Sequence, residues 1–235
     1  FGRSLSHSFS KSYFENKFQA EGISDSRYDA FEVEDVSGVL ATAQELQLAG
    51  FNITVPYKEE VIPLLDEISA EAKEIGAVNC VKHTLGGKYK GFNTDFYGFW
   101  ESINPMLDLG SISRALILGS GGAAKAVAYA LSANGIVSST VSRQGALNYE
   151  NLHPNHIREA QLIVNCTPLG TFPEVETSLD IPYEAITAAH AVFDVVYNPS
   201  VSTFLNRCGL AGAKTMNGQQ MLELQAERSW EIWNS

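Results

Sequence analysis

Leu116-Ile117-Leu118-Gly119-Ser120-Gly121-Gly122-Ala123-Ala124-Lys125 passes from an apolar run through a glycine-rich turn into an alanine-rich stretch. That order reads as strand, turn and helix, the context in which glycines at this spacing carry chemical meaning. Glycines let the backbone turn tightly and approach a ligand closely, and the free N–H groups and dipole at the start of the next helix favour an anionic diphosphate. Ala124 stands at the third position of the pattern, where alanine is small enough. Gly119, Ser120, Gly121, Gly122, Ala123 and Ala124 are therefore candidate dinucleotide contacts. Taken alone, the segment also fits a plain strand-to-helix turn.

Outward from this turn, short apolar runs alternate with segments of helical period, which predicts an α/β chain with a parallel sheet and crossover helices. In the second half the expected strands are Ala115–Leu118, Ser139–Ser142, Leu162–Asn165 and Ala191–Val195, with Ala123–Asn134 as the first crossover helix. Where an NAD site places an acid at the end of the second strand, this chain has Thr140-Val141-Ser142-Arg143. A guanidinium matches a ribose 2′-phosphate and an acid would repel it, so NADP(H) is the expected cofactor and Arg143 its contact; alone, Arg143 also reads as a solvated surface residue.

In the first half, Ser10–Ala20 reads as a helix capped by Ser10, Tyr28–Val33 as a strand, Val36–Leu48 as a helix, and Phe51–Val55 as a strand stopped by Pro56. Tyr57–Leu65 and Ala70–Ile75 read as helices, and Val78–Lys82 and Lys88–Phe92 as strands joined at Gly86-Gly87. After a helix at Phe96–Ile103, the polar stretch Leu107–Ser113 marks a domain boundary. The expected division is a first domain over 1–108, a Rossmann-type domain over 109–217, and a last helix within 218–235 returning to the first.

With 235 residues, 45% of them hydrophobic, the chain supports a substantial core. The net charge of −11 and the 16 dispersed Lys and Arg residues argue against a nucleic-acid surface, which needs clustered cations. The three cysteines, Cys80, Cys166 and Cys208, lie far apart without metal-ligand spacing, so free thiols in a reducing compartment and no metal are expected. No run approaches the ~20 apolar residues of a membrane helix, and Phe1 to His7 lack a signal-peptide core, so a cytoplasmic protein with no membrane partner is expected. The sequence opens without Met, and a few earlier residues of an opening strand are expected in the native chain.

Three regions of the first half are unusually polar: Ser6-His7-Ser8-Phe9-Ser10, Asn52-Ile53-Thr54-Val55-Pro56-Tyr57-Lys58, and Gly76-Ala77-Val78-Asn79 followed by Gly91-Phe92-Asn93-Thr94-Asp95. Together with Gly119–Lys125, Asn165–Gly170, Asp194–Pro199 and Gly218–Gln225, they resemble the shikimate dehydrogenase family over nearly the whole chain. The resemblance implies NADPH-dependent reduction of 3-dehydroshikimate to shikimate, a step of aromatic amino acid biosynthesis, in a cleft between a substrate domain and a Rossmann-type domain.

By matching positions, Lys58 and Asp95 are implied as the catalytic pair, and the chemistry agrees: hydride addition to a ketone leaves an alkoxide that needs a proton. Ser8 and Ser10 are implied to hold the substrate carboxylate, and Thr54, Asn79, Asp95 and Gln225 to read the ring hydroxyls, with Tyr197 a further substrate contact. Thr167, Val195 and Gly218 are implied to line the cofactor site. Taken alone, Lys58 is an exposed lysine at a helix start, Asp95 a first-turn acid, the serines turn or cap residues and Tyr197 a core tyrosine.

The chain departs from the family pattern in two places. Lys11 replaces the proline usual after the second serine, adding a cation near the carboxylate site, and Gln144 to Tyr149 lacks the second basic residue that often follows Arg143. His7 is read as a structural hydrogen-bonding residue. Two rival readings share the motifs: a quinate or quinate/shikimate dehydrogenase using NAD or NADP, and a non-catalytic dinucleotide-binding regulator, whose mark would be loss of Lys58 or Asp95. The expected partner is a small molecule, and the expected state a monomer or homodimer.

Overall fold

The computed structural model describes residues 1–3, 5, 9–107 and 112–235. The chain forms two compact units, Phe1–Thr94 with Gln225–Ser235, and Asp95–Leu224.

The first unit contains α1 (Phe9–Glu21), α2 (Val39–Glu45), β1 (Gly50–Asn52), β2 (Glu67–Ile68), α3 (Ala70–Ile75), β3 (Cys80–His83) and β4 (Tyr89–Phe92). The sheet order is β1-β3-β4-β2. β3 and β4 form the expected antiparallel hairpin with Cys80 opposite Phe92. α3 is short but well delimited: the Ser69 hydroxyl accepts from the Ala72 N–H, and Gly76 closes the helix at a φ of 70°. The unit buries Val39, Phe51, Ile53, Tyr57, Val61 and Val81 in one cluster, and Phe14 and Phe18 of α1 pack with Ala226, Trp230 and Trp233 in another.

Several expected elements here are shorter or absent. Among the described residues Tyr28–Val33 makes a single bridge, Gly2 to Glu32, where a strand needs a partner along several residues: its backbone–backbone bonds run from Val33 N–H to Gly2 O and from Gly2 N–H to Phe31 O. The helix expected over Tyr57–Leu65 is a single 3₁₀ turn at Ile62–Leu64: Pro63 has no N–H to donate and its ring opposes the preceding turn. The Val36–Leu48 helix contracts to Val39–Glu45, and the Phe51–Val55 strand becomes Gly50–Asn52, followed by a turn in which Tyr57 N–H donates to Thr54 O. α1 starts at Phe9, so Ser10 lies inside the helix rather than capping it.

The second unit contains α4 (Asp95–Ile103), β5 (Arg114–Leu118), α5 (Gly122–Ala133), β6 (Val137–Val141), α6 (Pro154–Glu159), β7 (Leu162–Asn165), β8 (Ala191–Asp194), α7 (Thr203–Leu210), β9 (Lys214–Asn217) and the start of α8 (Gln219–Asn234). Its five strands are all parallel in the order β6-β5-β7-β8-β9. The chain moves outward from β5 to β6, then crosses back to β7 on the other side of β5, which makes β5 the point of reversal of a Rossmann-type sheet. Alternate residues of the central strands enter opposite layers. Leu116, Leu118 and Ile163 pack with Phe204 on one face, and Ile117, Val164 and Phe193 with Val127 and Leu131 on the other. β9, α6 and α7 were not among the expected elements.

The units divide at Thr94/Asp95, not at the expected 108/109. α4 belongs to the second unit because Phe99 and Ile103 are fully buried in its core, Phe99 edge-on to Phe193 with ring centroids 5.2 Å apart. α8 is likewise shared: Met221 packs in the second unit's core, and the residues from Gln225 on belong to the first.

Candidate functional site

In the second unit, the expected cofactor residues fall at the carboxyl ends of all five strands: the glycine turn after β5, Arg143 after β6, Thr167 after β7, Val195 after β8 and Gly218 after β9. Open parallel sheets bind ligands at this edge, beside the reversal of strand order. Gly119 has a φ of 114°, and a Cβ there would sit 3.2 Å from the backbone of Cys166, so only glycine suits. Gly121 begins the 12-residue α5 without a side-chain cap, and a Cβ on it would meet nothing within 4 Å. The room beside Gly121 and a first turn that carries no acid fit an anionic diphosphate. Arg143 is exposed. At Gly218 a Cβ would lie 2.2 Å from Val195 O, so the turns after β8 and β9 touch backbone to backbone.

Behind these turns lies a buried polar network. Asn165 and Asp194, opposite each other in β7 and β8, are both fully buried. Asn165 Nδ2 donates to Asp194 Oδ1 at 2.8 Å, while Asn165 Oδ1 accepts from Thr167 N–H at 2.9 Å and Thr167 Oγ1 at 2.7 Å. Asp194 Oδ1 also accepts from Val196 N–H at 3.0 Å, and Oδ2 from the Ser202 hydroxyl. Burial outweighs these donors and pushes the Asp194 carboxyl up to about 6. Burial, with Asp194 and Asp95 nearby, also pushes the Cys166 thiol up, so it stays protonated.

In the first unit the polar residues form a chain. Ser10 lies beside Tyr28, whose hydroxyl donates to Asn52 Oδ1 at 2.9 Å. Asn52 Nδ2 donates to Asn79 O and to Ser229 Oγ, both at 3.0 Å. Asn79 Nδ2 donates to Thr94 Oγ1 at 2.9 Å and to Gln225 Oε1 at 3.4 Å, and Thr94 N–H returns to Asn79 Oδ1 at 2.6 Å. Three expected substrate residues, Ser10, Asn79 and Gln225, are thus linked through Tyr28, Asn52 and Thr94. Thr54 and Lys58 flank the turn after β1. There the buried Tyr57 hydroxyl reaches the carbonyls of Val33 and Glu34, and Lys58 O accepts from Val78 N–H at 2.7 Å, which holds the Lys58 backbone. Ser8 and His7 lie outside the described residues. Asp95, almost fully buried, opens α4 in the second unit, where Tyr197 also lies, half-buried after β8. A cavity of about 460 Å³ in the first unit lies elsewhere: Phe1, Tyr28, Phe31, Phe51, Trp230 and Trp233 line it, and among the described residues none of the expected substrate residues does.

Residues 1–81 match the model of the shikimate dehydrogenase substrate binding domain. A shikimate dehydrogenase (NADP(+)) of Desulforamulus reducens is 33% identical over an alignment spanning 99% of this chain and 88% of that protein. The chain belongs to the shikimate dehydrogenase family. Among solved structures, shikimate 5-dehydrogenase from Thermus thermophilus in complex with NADP(H) and shikimate superposes with a TM-score of 0.86 at 30% identity, covering 99% of this chain and 90% of that one. Quinate dehydrogenase from Corynebacterium glutamicum in complex with NAD superposes with a TM-score of 0.85 at 28% identity, covering 99% and 91%.

For this shikimate dehydrogenase family member, among the described residues, no group of three or more His, Cys, Asp or Glu could hold a metal ion, and no helix is long and apolar enough to cross a membrane. Asn52, Thr94, Asn165 and Asp194 lie inside the quoted motifs without an expected role, and Ser202 and Ser229 lie outside them. The available signal was type and place: a polar residue at the end of an otherwise apolar strand, as in Leu162-Ile163-Val164-Asn165 and Ala191-Val192-Phe193-Asp194.

Proposed function

We propose that the chain is an NADP-dependent shikimate dehydrogenase that interconverts 3-dehydroshikimate and shikimate in aromatic amino acid biosynthesis. The observation that carries the reading is the set of candidate cofactor residues at the carboxyl ends of all five parallel strands, with Arg143 at the end of β6. When bound there, NADPH supplies a hydride to the substrate ketone.

Lys58 gives a proton to the alkoxide in reduction, and takes one from the hydroxyl in the reverse direction. Asp95 accepts a hydrogen bond from a ring hydroxyl. Ser8 and Ser10 donate to the substrate carboxylate, and Thr54, Asn79, Tyr197 and Gln225 pair with the ring hydroxyls. A site that pairs each hydroxyl rejects analogues lacking one, because its own polar groups would be left unpaired. Gly119 to Ala124 would hold the diphosphate, Arg143 the 2′-phosphate, and Thr167, Val195 and Gly218 would line the remaining wall. The free cysteines Cys80, Cys166 and Cys208 agree with a cytoplasmic enzyme, which we take to act as a monomer or homodimer.

The test is steady-state turnover with shikimate and quinate, each with NADP⁺ and NAD⁺. The largest kcat/KM is expected for shikimate with NADP⁺; a larger value for quinate with NAD⁺ would assign the chain to the other branch of the family. Lys58→Ala should lower kcat by roughly 10²–10⁴, the usual worth of general acid–base catalysis, with the circular dichroism spectrum retained. Undiminished turnover would remove Lys58 from the mechanism.

A further inference from the structure

We propose that Asp194 is a positioning residue for the nicotinamide end of the cofactor site, its carboxylate tying the loop after β7 to the turns after β8 and β9. The proposal rests on the dinucleotide reading above. Asn165 lies between Asp194 and Thr167: one amide group donates to the carboxylate while its oxygen holds both the N–H and the hydroxyl of Thr167. On the other side the same carboxylate holds Val196 N–H and the Ser202 hydroxyl. Val196 O then accepts from Gly218 N–H at 3.2 Å, and Val195 O lies against Gly218 so closely that no side chain fits. Three of the proposed cofactor contacts, Thr167, Val195 and Gly218, are therefore spaced by one carboxylate that is itself out of reach of solvent.

The charge is an expensive choice for structure alone. These partners of Asp194 are neutral donors, and burial raises its pKa. What ionisation adds is strength and direction in the hydrogen bonds it accepts, which a neutral amide would lose in part. The geometry separates this role from that of the glycine turn. With Arg143 after β6 to take the 2′-phosphate and the turn after β5 to take the diphosphate, the strand order would leave the nicotinamide end to the turns after β7, β8 and β9; Asp194 hydrogen-bonds Asn165, Val196 and Ser202, and none of β5, α5 or Arg143.

The experiment compares Asp194→Asn with the wild-type chain in binding NADP⁺ and in binding 2′-phospho-ADP-ribose, the fragment that lacks nicotinamide, alongside kcat for shikimate oxidation. The expected result is NADP⁺ binding weakened about fivefold or more, fragment binding within about twofold of wild type, and kcat reduced about tenfold or more, the scale of a small misplacement of reacting groups. Equal weakening for both ligands, or none for either, would overturn the proposal. Should Asp194→Asn fail to melt cooperatively, Ser202→Ala removes a single donor from the carboxylate and should show the same selective loss at smaller size; an equal loss for both ligands there overturns it too. A wild-type chain that binds NADP⁺ but does not oxidise shikimate would sink the substrate assignment while leaving this comparison readable.

Discussion

Arg143 is an exposed cation at the end of β6, in a segment whose next six residues, Gln144 to Tyr149, include no Lys or Arg. Recognition of a 2′-phosphate through residues 143–149 would thus rest on one guanidinium. Arg143→Ala should weaken NADP⁺ binding roughly tenfold, the worth of one charge-assisted contact, and leave NAD⁺ nearly unchanged. Equal losses in titrations with the two cofactors would refute the assignment. Asp194 carries a pH dependence of its own. Its folded pKa, about 6, lies above the ordinary value of 3.8, so the folded state holds the proton more tightly. The stability that this proton supplies is complete below pH 4 and is lost as pH rises through 6, on the order of 3 kcal/mol in all. Asp194→Asn cannot ionise. Its stability relative to wild type should therefore rise between pH 4.5 and 7.5 in urea titrations, and a flat difference would show that Asp194 titrates normally.

α4 shows how an element is assigned by the side chains it buries rather than by its place in the chain. It is amphipathic, follows β4 of the first unit almost at once, and has a polar linker after it, so reading along the chain joined it to the first domain. Phe99 and Ile103 instead complete the core under β5, β7 and β8. Phe99→Ala should cost about 3–5 kcal/mol in the second unit, measured by denaturant unfolding, because the cavity opens against Phe193 in a closely packed layer. The elements that the sequence showed well, β5, α5 and β7, are those whose apolar residues satisfy both local period and burial. Tyr28–Val33 has the composition of a strand, yet among the described residues it bridges only to Gly2, and no local signal reports how short that pairing is. β9 was passed over because Lys214-Thr215-Met216-Asn217 is largely polar and becomes a strand through its pairing with β8.

Each of the two units buries a core of its own, and the proposed cofactor residues all belong to the second. NADP⁺ at about 100 times its Kd should stabilise that unit by about 2.7 kcal/mol, raising the melting midpoint by several degrees, with a smaller shift from the same concentration of NAD⁺. No shift from NADP⁺ in a calorimetric scan would argue against the dinucleotide reading. The acidic net charge of −11 leaves this untouched, since the proposed site would meet anions with oriented N–H groups and one arginine rather than with a basic surface. The sequence alone determined the α/β class, the turn at Gly119 to Ala124, the family, and the residue types offered to cofactor and substrate. These follow from local period, from glycine stereochemistry and from an ordered set of motifs. Only the tertiary structure decided the unit boundary at Thr94/Asp95, the reversal of strand order at β5, and the partnerships of Asn165 with Asp194 and of Asn79 with Thr94 and Gln225. Those depend on contacts between residues far apart in the chain, and hydrogen bonds of buried polar groups are satisfied by whatever the fold brings beside them.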